Sequence, residues 1–466
     1  MKKALLTVSA IAVATALITP KFIGSHIAER TESIVNSINQ LPYYQAQLLN
    51  KKSNWFSQSG TLQITLDMAA MLDNGELFNR DPVVLDINFD IQSGPIVSSG
   101  LALSQFNLEI SPESLRERLK WQEDAPFYRV EGQLDFAGGV SYEDELVNFS
   151  YQDSDNGRVT FERFEGKAQT VDGVLTYQGA SPSISFDLGE HQTKITNLWL
   201  EGKLPESILA YLDYNQWYDS YVRMGIEKLE FKSEQRQDVS LDELSIQAIS
   251  KNDSETGMGS MELVYALKKF VVAEHRGQNM ELALAFNNLD VDSMMSINQL
   301  INDQSASSSP EAYLATFNQS LKEHLLALFS KQPEFNITAL NGEFPQGKLD
   351  AKLQSKLVDV TELPEDLENP AFWLSHVKAD SQIQMGKELA NLLTRVIMQN
   401  RLQQNPDFIR MSPEQQTQVL DQQVVGLLGM LESQGTLMVD GEDYRVDLAF
   451  DKGQARVNGQ LMPLGQ

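Results

Sequence analysis

From about Trp55 to Val291 the chain reads mostly as strands, in runs where apolar and polar residues alternate. Leu62, Ile64, Leu66 and Met68 alternate with polar neighbours, as do Leu85, Ile87, Phe89 and Ile91. The same rhythm runs through Phe106, Leu108 and Ile110, through Ile184, Phe186 and Leu188, and through Leu282, Leu284 and Phe286. A period of two sends successive side chains to opposite faces of a strand, so each segment predicts a strand with one face on a core and the other in water. Turn signals separate the runs. Asn156-Gly157 lies between two of them and predicts a hairpin, because both residues tolerate positive φ. Asp172-Gly173, Asn341-Gly342 and Asn458-Gly459 read the same way. No helical stretch intervenes between successive strands, which argues against a parallel α/β sheet and for long antiparallel ones. Three segments, beginning at Ile195, Ile226 and Leu241, resemble one another as strand units, but their spacing is too irregular for a solenoid.

The period lengthens further on. Ser308, Ser309, Pro310 and Glu311 form a capping signal with an early proline, and Tyr313, Phe317, Leu321, Leu325 and Leu328 then share one face. Met385, Leu389, Leu392, Val396 and Ile397 mark a second helix. Ser412, Pro413, Glu414 and Gln415 open a third, which carries Val424, Leu427, Leu428 and Leu431 and stops near Gly435. A strand pair, residues 335–340 and 348–353, separates the first two helices, and residues 436–439, 444–450 and 454–461 close the chain as strands. The expected fold class is α+β and β-dominated: long antiparallel sheets with a few amphipathic helices, preceded by one N-terminal membrane helix. The expected divisions are 1–22, a signal anchor or signal peptide; 23–45, a leader helix; 46–300, a β-rich body; and 301–466, an α+β part with closing strands. The polar residues 304–309 read as the linker.

The N-terminus changes the picture most. Lys2 and Lys3 precede an uncharged run at residues 4–19, built on Ala4, Leu5, Leu6, Val8, Ile11, Val13, Leu17 and Ile18, and Pro20 and Lys21 close it. A basic start followed by an apolar run directs export. The run is somewhat short against the roughly 20 residues of a bilayer span, and Lys3 and Lys21 can snorkel outward to make up part of the deficit. Small residues suited to cleavage lie inside the apolar run, at residues 12–16, rather than after it. The reading is an uncleaved anchor with the body outside the cytoplasm, in the periplasm of a Gram-negative-type envelope; a soluble periplasmic protein after cleavage is the alternative. Residues 91–108 are also uncharged, but their Gly, Pro, Ser, Gln and Asn content reads as turn and strand.

Charge and chemistry exclude more than they assign. The formal net charge of −27 repels phosphate backbones, so no nucleic-acid partner is expected. The absence of cysteine removes disulfides, thiol catalysis and an acylated lipoprotein anchor. The five histidines, His26, His191, His275, His324 and His376, show no metal-ligand spacing, and no metal or other cofactor is expected. Ser375, His376, Val377 and Lys378 match a bare SxxK pattern without its companion motifs, and no GxSxG elbow occurs. The acidic groups at residues 153–157 and 440–443 read as turns that lack an EF-hand ligand set. Asp290 and Asp292 end a strand. No catalytic residue is assigned.

Two passages and the C-terminus resemble a known family. Asn54, Trp55, Phe56, Ser57, Gln58 and Ser59 follow the leader and are similar to the GWFSS signature of the YdgA-like family, domain of unknown function 945. Pro333, Glu334, Phe335, Asn336 and Ile337, followed by Pro345, Gln346 and Gly347, resemble its second recurring passage. Val457, Asn458, Gly459, Gln460, Leu461, Met462 and Pro463 are similar to its C-terminus. The resemblance spans nearly the whole chain and departs at Asn54, for Gly, and at Gln58, for Ser. It implies an inner-membrane-anchored periplasmic protein of unknown activity and brings no catalytic residues. Trp55 and Phe56 are expected to form a buried aromatic pair that fastens the leader to the sheet. Three functions follow as expectations. The first is a non-enzymatic scaffold, chaperone or envelope assembly factor, with a protein partner or as a homo-oligomer. The second is a carrier of lipid or another hydrophobic ligand, in a groove lined by residues such as Leu62, Ile64, Leu85 and Phe89. The third is an enzyme, an envelope hydrolase for example, which would need a cleft with perturbed carboxylates.

Overall fold

The computed structural model describes Val35, residues 38–39 and residues 44–462, apart from 67–82, 113–114, 118, 153–156, 206–216, 235–236 and 303–309. The targeting run, from Ala4 to Ile18, lies outside these residues, as do most of the leader and the expected linker. No described helix is long and apolar enough to cross a membrane. The chain divides into two units, Met1–Asp242 and Glu243–Gln466, so the division falls in strand-forming sequence rather than at residues 304–309.

The first unit is antiparallel throughout. Strands β1 (Tyr44–Ser53), β2 (Ser57–Leu66), β3 (Val83–Ser93) and β4 (Ser104–Ser111) pair in order. The sheet continues through β6 (Tyr128–Leu134), β7 (Val140–Leu146) and β10 (Phe164–Val171) to the long β11 (Val174–Asp187), β12 (His191–Pro205) and β13 (Ser220–Ser233). On one side β11 takes two partners. Its first half pairs with β10 and its last residues with β9 (Arg158–Phe161), which leads to β8 (Phe149–Gln152) and β5 (Leu119–Lys120). This short arm seals the apolar face of the main sheet. Leu62, Ile87, Phe106, Leu108 and Val130 from the sheet share one core with Leu119, Phe149 and Phe161 from the arm. Phe127 tilts against Phe149, with centroids 5.3 Å apart, and Phe149 stacks on Phe161 at 4.9 Å. Each fully buried Leu, Ile or Phe there contributes about 1.5–3 kcal/mol. Val35 and Ile38 of the leader pack against the same core, but Tyr44 and Gln45 already belong to β1, so the leader helix ends short of the expected residue 45.

In the second unit β15 (Met258–Val272), β16 (His275–Asp290), β17 (Glu334–Phe344), β18 (Gly347–Leu357), β19 (Val377–Gly386) and β21 (Asp443–Asp451) pair in that order. Beyond β21 lie β22 (Gln454–Val457) and β23 (Gln460–Met462), while β20 (Met438–Asp440) pairs back on β21. Strand β14 (Val239–Asp253) contains the division between the units. Among the described residues of this unit the helices are α1 (Val291–Asn302), α2 (Pro310–Ser330), α3 (Pro370–His376), α4 (Lys387–Leu402), α5 (Pro406–Ile409) and α6 (Pro413–Ser433). The capping box at Ser412 is present, with Ser412 and Gln415 satisfying each other's backbone N–H. Met385 is not helical: it is the penultimate residue of β19, one before the Gly386 that ends the strand and caps α4.

The three similar segments acquire a physical reason. In each the apolar step of two becomes a step of three: Ile195 to Leu198, Ile226 to Leu229, Leu241 to Leu244. Asn197 and Glu243 sit inside two of these steps in the left-handed region, with φ of 49° and 50°. The third lies opposite the first, where the β12–β13 ladder skips Asn197 and Glu227. Phe286 to Leu289 repeats the pattern around Asn288 at a β15–β16 register shift. The recurring signal is therefore a strand irregularity that re-phases the apolar face and strengthens local twist. Asn341-Gly342, expected as a turn, is strand interior: Asn341 pairs with Asp350 and Gly342 with Leu349. The turn falls instead at Pro345 and Gln346, because Gly347, with φ of 135°, lets the chain reverse there.

Candidate functional site

Strand β18 sets the pattern of the second unit. Leu349, Ala351 and Leu353 alternate with Lys348, Asp350 and Lys352, so one face is apolar and the other charged. Residues directly opposite across antiparallel strands point to the same face, which extends the pattern sideways. One row runs Leu263, Leu284, Ile337, Leu353, Ser381, Leu448 across β15 to β21. The next runs Tyr265, Leu282, Leu340, Ala351, Ile383, Val446. A third, beginning at Met261, Phe286 and Phe335, ends at Phe450. Helix α4 packs against β18, β19 and β21 and buries Leu389, while α1 and α2 pack on each other and against β16. Most residues of the apolar rows stay half-buried all the same, and Tyr265, Phe335 and Leu448 are each 38% exposed. Contiguous apolar surface of this extent marks a binding surface in a soluble protein. In the first unit, Leu198, Leu200 and Ile226 on β12 and β13 are similarly half-covered.

The first unit holds two further polar features. A trough of about 700 Å³ lies over the water-facing side of its sheet, edged by Gln105, Glu131, Glu143, Lys167, Glu201 and Lys203. Lys167 donates to Glu143 at 2.7 Å, and this hydrogen bond raises the lysine's pKa and keeps it a cation. A protonated amine is no nucleophile. On the other face Asp144 is buried in the core parity of β7, between Tyr142 and Leu146. Its Oδ2 accepts from Tyr128 and Tyr177 at 3.0 and 3.2 Å, and its Oδ1 has no partner. Burial raises the carboxyl's pKa against the opposing effect of those two donors. Gly166 makes the slot, since a Cβ there would lie 2.1 Å from Asp144 Oδ1. Sequence reasoning missed this group. Its signal was a carboxylate in phase with Val140, Tyr142 and Leu146.

Other expected positions fall into place or out of it. Leu62, Ile64, Leu85 and Phe89 line no groove: all four are at most 3% exposed, sealed in the first unit's core by the β5–β8–β9 arm. Trp55 and Phe56 are not a buried pair, since they are 95% and 66% exposed at the β1–β2 turn. Packing fails to cover them because Asn54 N donates to Ser57 O at 2.7 Å, closing a tight turn whose tip carries both rings outward. Pro333 precedes β17 and its carbonyl accepts from Leu357 N. Gly347 lies against Gly386, where a Cβ would sit 2.9 Å from the glycine's Cα. Asn458, at φ 50°, and Gly459, at φ 80°, form the β22–β23 turn, and the Asn458 amide donates to Gly435 O and Thr436 O at the end of α6. Ser375 Oγ donates to Phe372 O and contacts His376 Nδ1, so its hydroxyl closes the last turn of α3. Asp290 accepts from Ser293 at the start of α1. Among the described residues no three His, Asp or Glu side chains converge as a metal site.

Comparison with known proteins yields one match, to the family described as bacterial protein of unknown function (DUF945), over residues 1–465. The chain belongs to this family. No curated protein and no solved structure matches it. In this DUF945 chain, the second passage and the C-terminal passage resembling the family's motifs meet structural needs at Pro333, Gly347, Asn458 and Gly459. The side chains of Trp55 and Phe56 stand exposed, although the Phe56 carbonyl accepts from Ser93 N.

Proposed function

We propose that this protein is a non-enzymatic component of the bacterial envelope, tethered through its N-terminal apolar run to the inner membrane, that holds a hydrophobic ligand along the apolar sheet face of its second unit. The observation behind the reading is the set of cross-strand apolar rows whose residues stay largely half-buried. Water excluded from such a face by an acyl chain returns about 25 cal/mol per Å² covered, without any new polar contact. Lys348, Asp350 and Lys352 on the opposite face keep that side in water.

The test is photo-crosslinking in cells with the full chain, with benzoylphenylalanine at Leu353 or at its neighbour Lys352, which faces the other way. A lipid-mass adduct at 353 and none at 352 is expected. Equal labelling at both positions, or none at either, sinks the reading. A second reading, a scaffold or chaperone for a protein partner, is supported by Leu393, Val396 and Ile397, an i, i+3, i+4 stripe on α4 that is 39%, 47% and 65% exposed. A protein adduct at Ile397, with no lipid at Leu353, would favour it.

A further inference from the structure

The turns at one end of the first unit share a property that their strands do not. Register places four connections side by side: β1–β2 beyond Ser57 and Gln92, β3–β4 beyond Ser93 and Ser104, β6–β7 beyond Leu134 and Val140, and β10–β11 beyond Val171 and Val174. Each carries large apolar side chains into solvent. Trp55 and Phe56 stand on the first, Ile96 (78% exposed) and Leu101 (77%) on the second, Phe136 (59%) on the third, and Val171 (49%) with Val174 on the fourth. Strand spacing of about 4.8 Å makes this an edge roughly 34 Å long. The tips are laterally bonded as well: Ser93 N donates to Phe56 O at 2.8 Å, Gly94 N to Leu103 O at 3.1 Å, and Leu103 N to Leu134 O at 2.9 Å. The edge is thus a fixed rim rather than a set of independent loops.

Its electrostatics set it apart from the rest of the chain. Residues 91–108 contain no charged side chain, and the four tips carry only Lys51 and Lys52 beside Trp55, balanced by Asp135 and Asp172. Asp135 is occupied by the N–H groups of Ala137 and Gly139 at 2.8 Å. In a protein of net charge −27 the charges of these four tips cancel. We propose that the rim docks on the surface of a lipid bilayer, with Trp55, Phe56, Ile96, Leu101 and Phe136 seated at the boundary between headgroups and acyl chains. The chemistry fits a planar, weakly anionic, deformable partner. Apolar residues stand singly on a line of turn apices instead of forming a concave patch, a tryptophan leads, and two lysines flank it. An acidic surface is repelled by anionic headgroups, which leaves the four charge-balanced tips as the approach.

The absence of cysteine makes the test direct, because any introduced thiol is unique. The full chain, carrying a nitroxide at Ile96→Cys, Phe136→Cys or, as a control at the opposite end of β11, Asp187→Cys, is reconstituted in vesicles of phosphatidylethanolamine and phosphatidylglycerol at about three to one. Each label is then relaxed with oxygen, which concentrates in lipid, and with a water-soluble nickel chelate. The ratio of oxygen to nickel accessibility is expected to be at least ~3-fold higher at 96 and 136 than at 187, as for groups 5–10 Å into the interface. Adding Trp55→Asp and Leu101→Asp should return the label at 136 to the control value. Far-UV circular dichroism on each chain checks that the fold is kept. A ratio at both tips equal to that at 187 overturns the proposal. Shielding of both tips from the two reagents alike, the mark of a protein contact, overturns it too and points to a second copy or another protein.

Discussion

The two units use the same alternation of apolar and polar residues and reach different ends. In the first, β4 reads Phe106, Leu108, Ile110 on one face, and all three are at most 3% exposed because the β5–β8–β9 arm is laid over them. In the second, β18 reads Leu349, Ala351, Leu353 with the same regularity, yet only Ala351 is buried. Leu349 and Leu353 stay half-open although α4 packs against the same strand. The difference teaches that period two specifies which side of a strand is apolar and says nothing of what covers it. Cover comes from elsewhere in the chain: a branch at β11 in one unit, helices that stop short in the other.

The contrast has measurable consequences. The largest is at Phe106, whose ring packs over Gly132, close enough that a Cβ there would lie 2.4 Å from it. Phe106→Ala is expected to destabilise the first unit by about 3–5 kcal/mol in urea unfolding, since the sealed core cannot collapse onto the void. Next comes Asp144. A carboxyl whose pKa is raised on folding stabilises the fold fully below its unfolded value of 3.8, and that contribution is lost as pH rises through the higher folded-state value. Melting temperature of the first unit should therefore fall as pH climbs from 3.8 through that window. Asp144→Asn should flatten the fall, and an unchanged slope would mean that the group is not buried as described. The smallest effect is expected at Leu353. Leu353→Ala should cost about 1 kcal/mol or less, because its side chain is already half in water. A loss as large as that at Phe106 would show that the face is sealed and end the comparison.

Much of this was legible locally. The strand runs, the Asp172-Gly173 and Asn458-Gly459 turns and the Ser412 capping box depend on residues within a few positions of one another, and each is where the pattern puts it. Strand β19 escaped notice because Ala379 and Ser381 dilute its alternation; cross-strand neighbours supply the burial that those small residues do not advertise. Asn341-Gly342 misled for the converse reason. A dipeptide suited to a turn is also tolerated in a strand when Gly342 has Met280 and Phe344 packed against it. The steps of three were visible as a faint repeat, but only pairing revealed them as places where the strand re-phases.

By itself the amino-acid order determined the element types, the polarity of each strand face, the acidic surface and the family to which the chain belongs. These are sums over neighbours in sequence, or comparisons of sequence alone. Tertiary structure decided which apolar face is closed and which is left half-open, that Leu62 and Phe89 belong to a core, and that Trp55 and Phe56 stand in solvent. It also set a lone carboxylate among tyrosines. Burial is a property of what distant segments bring to a surface, and no local pattern contains it.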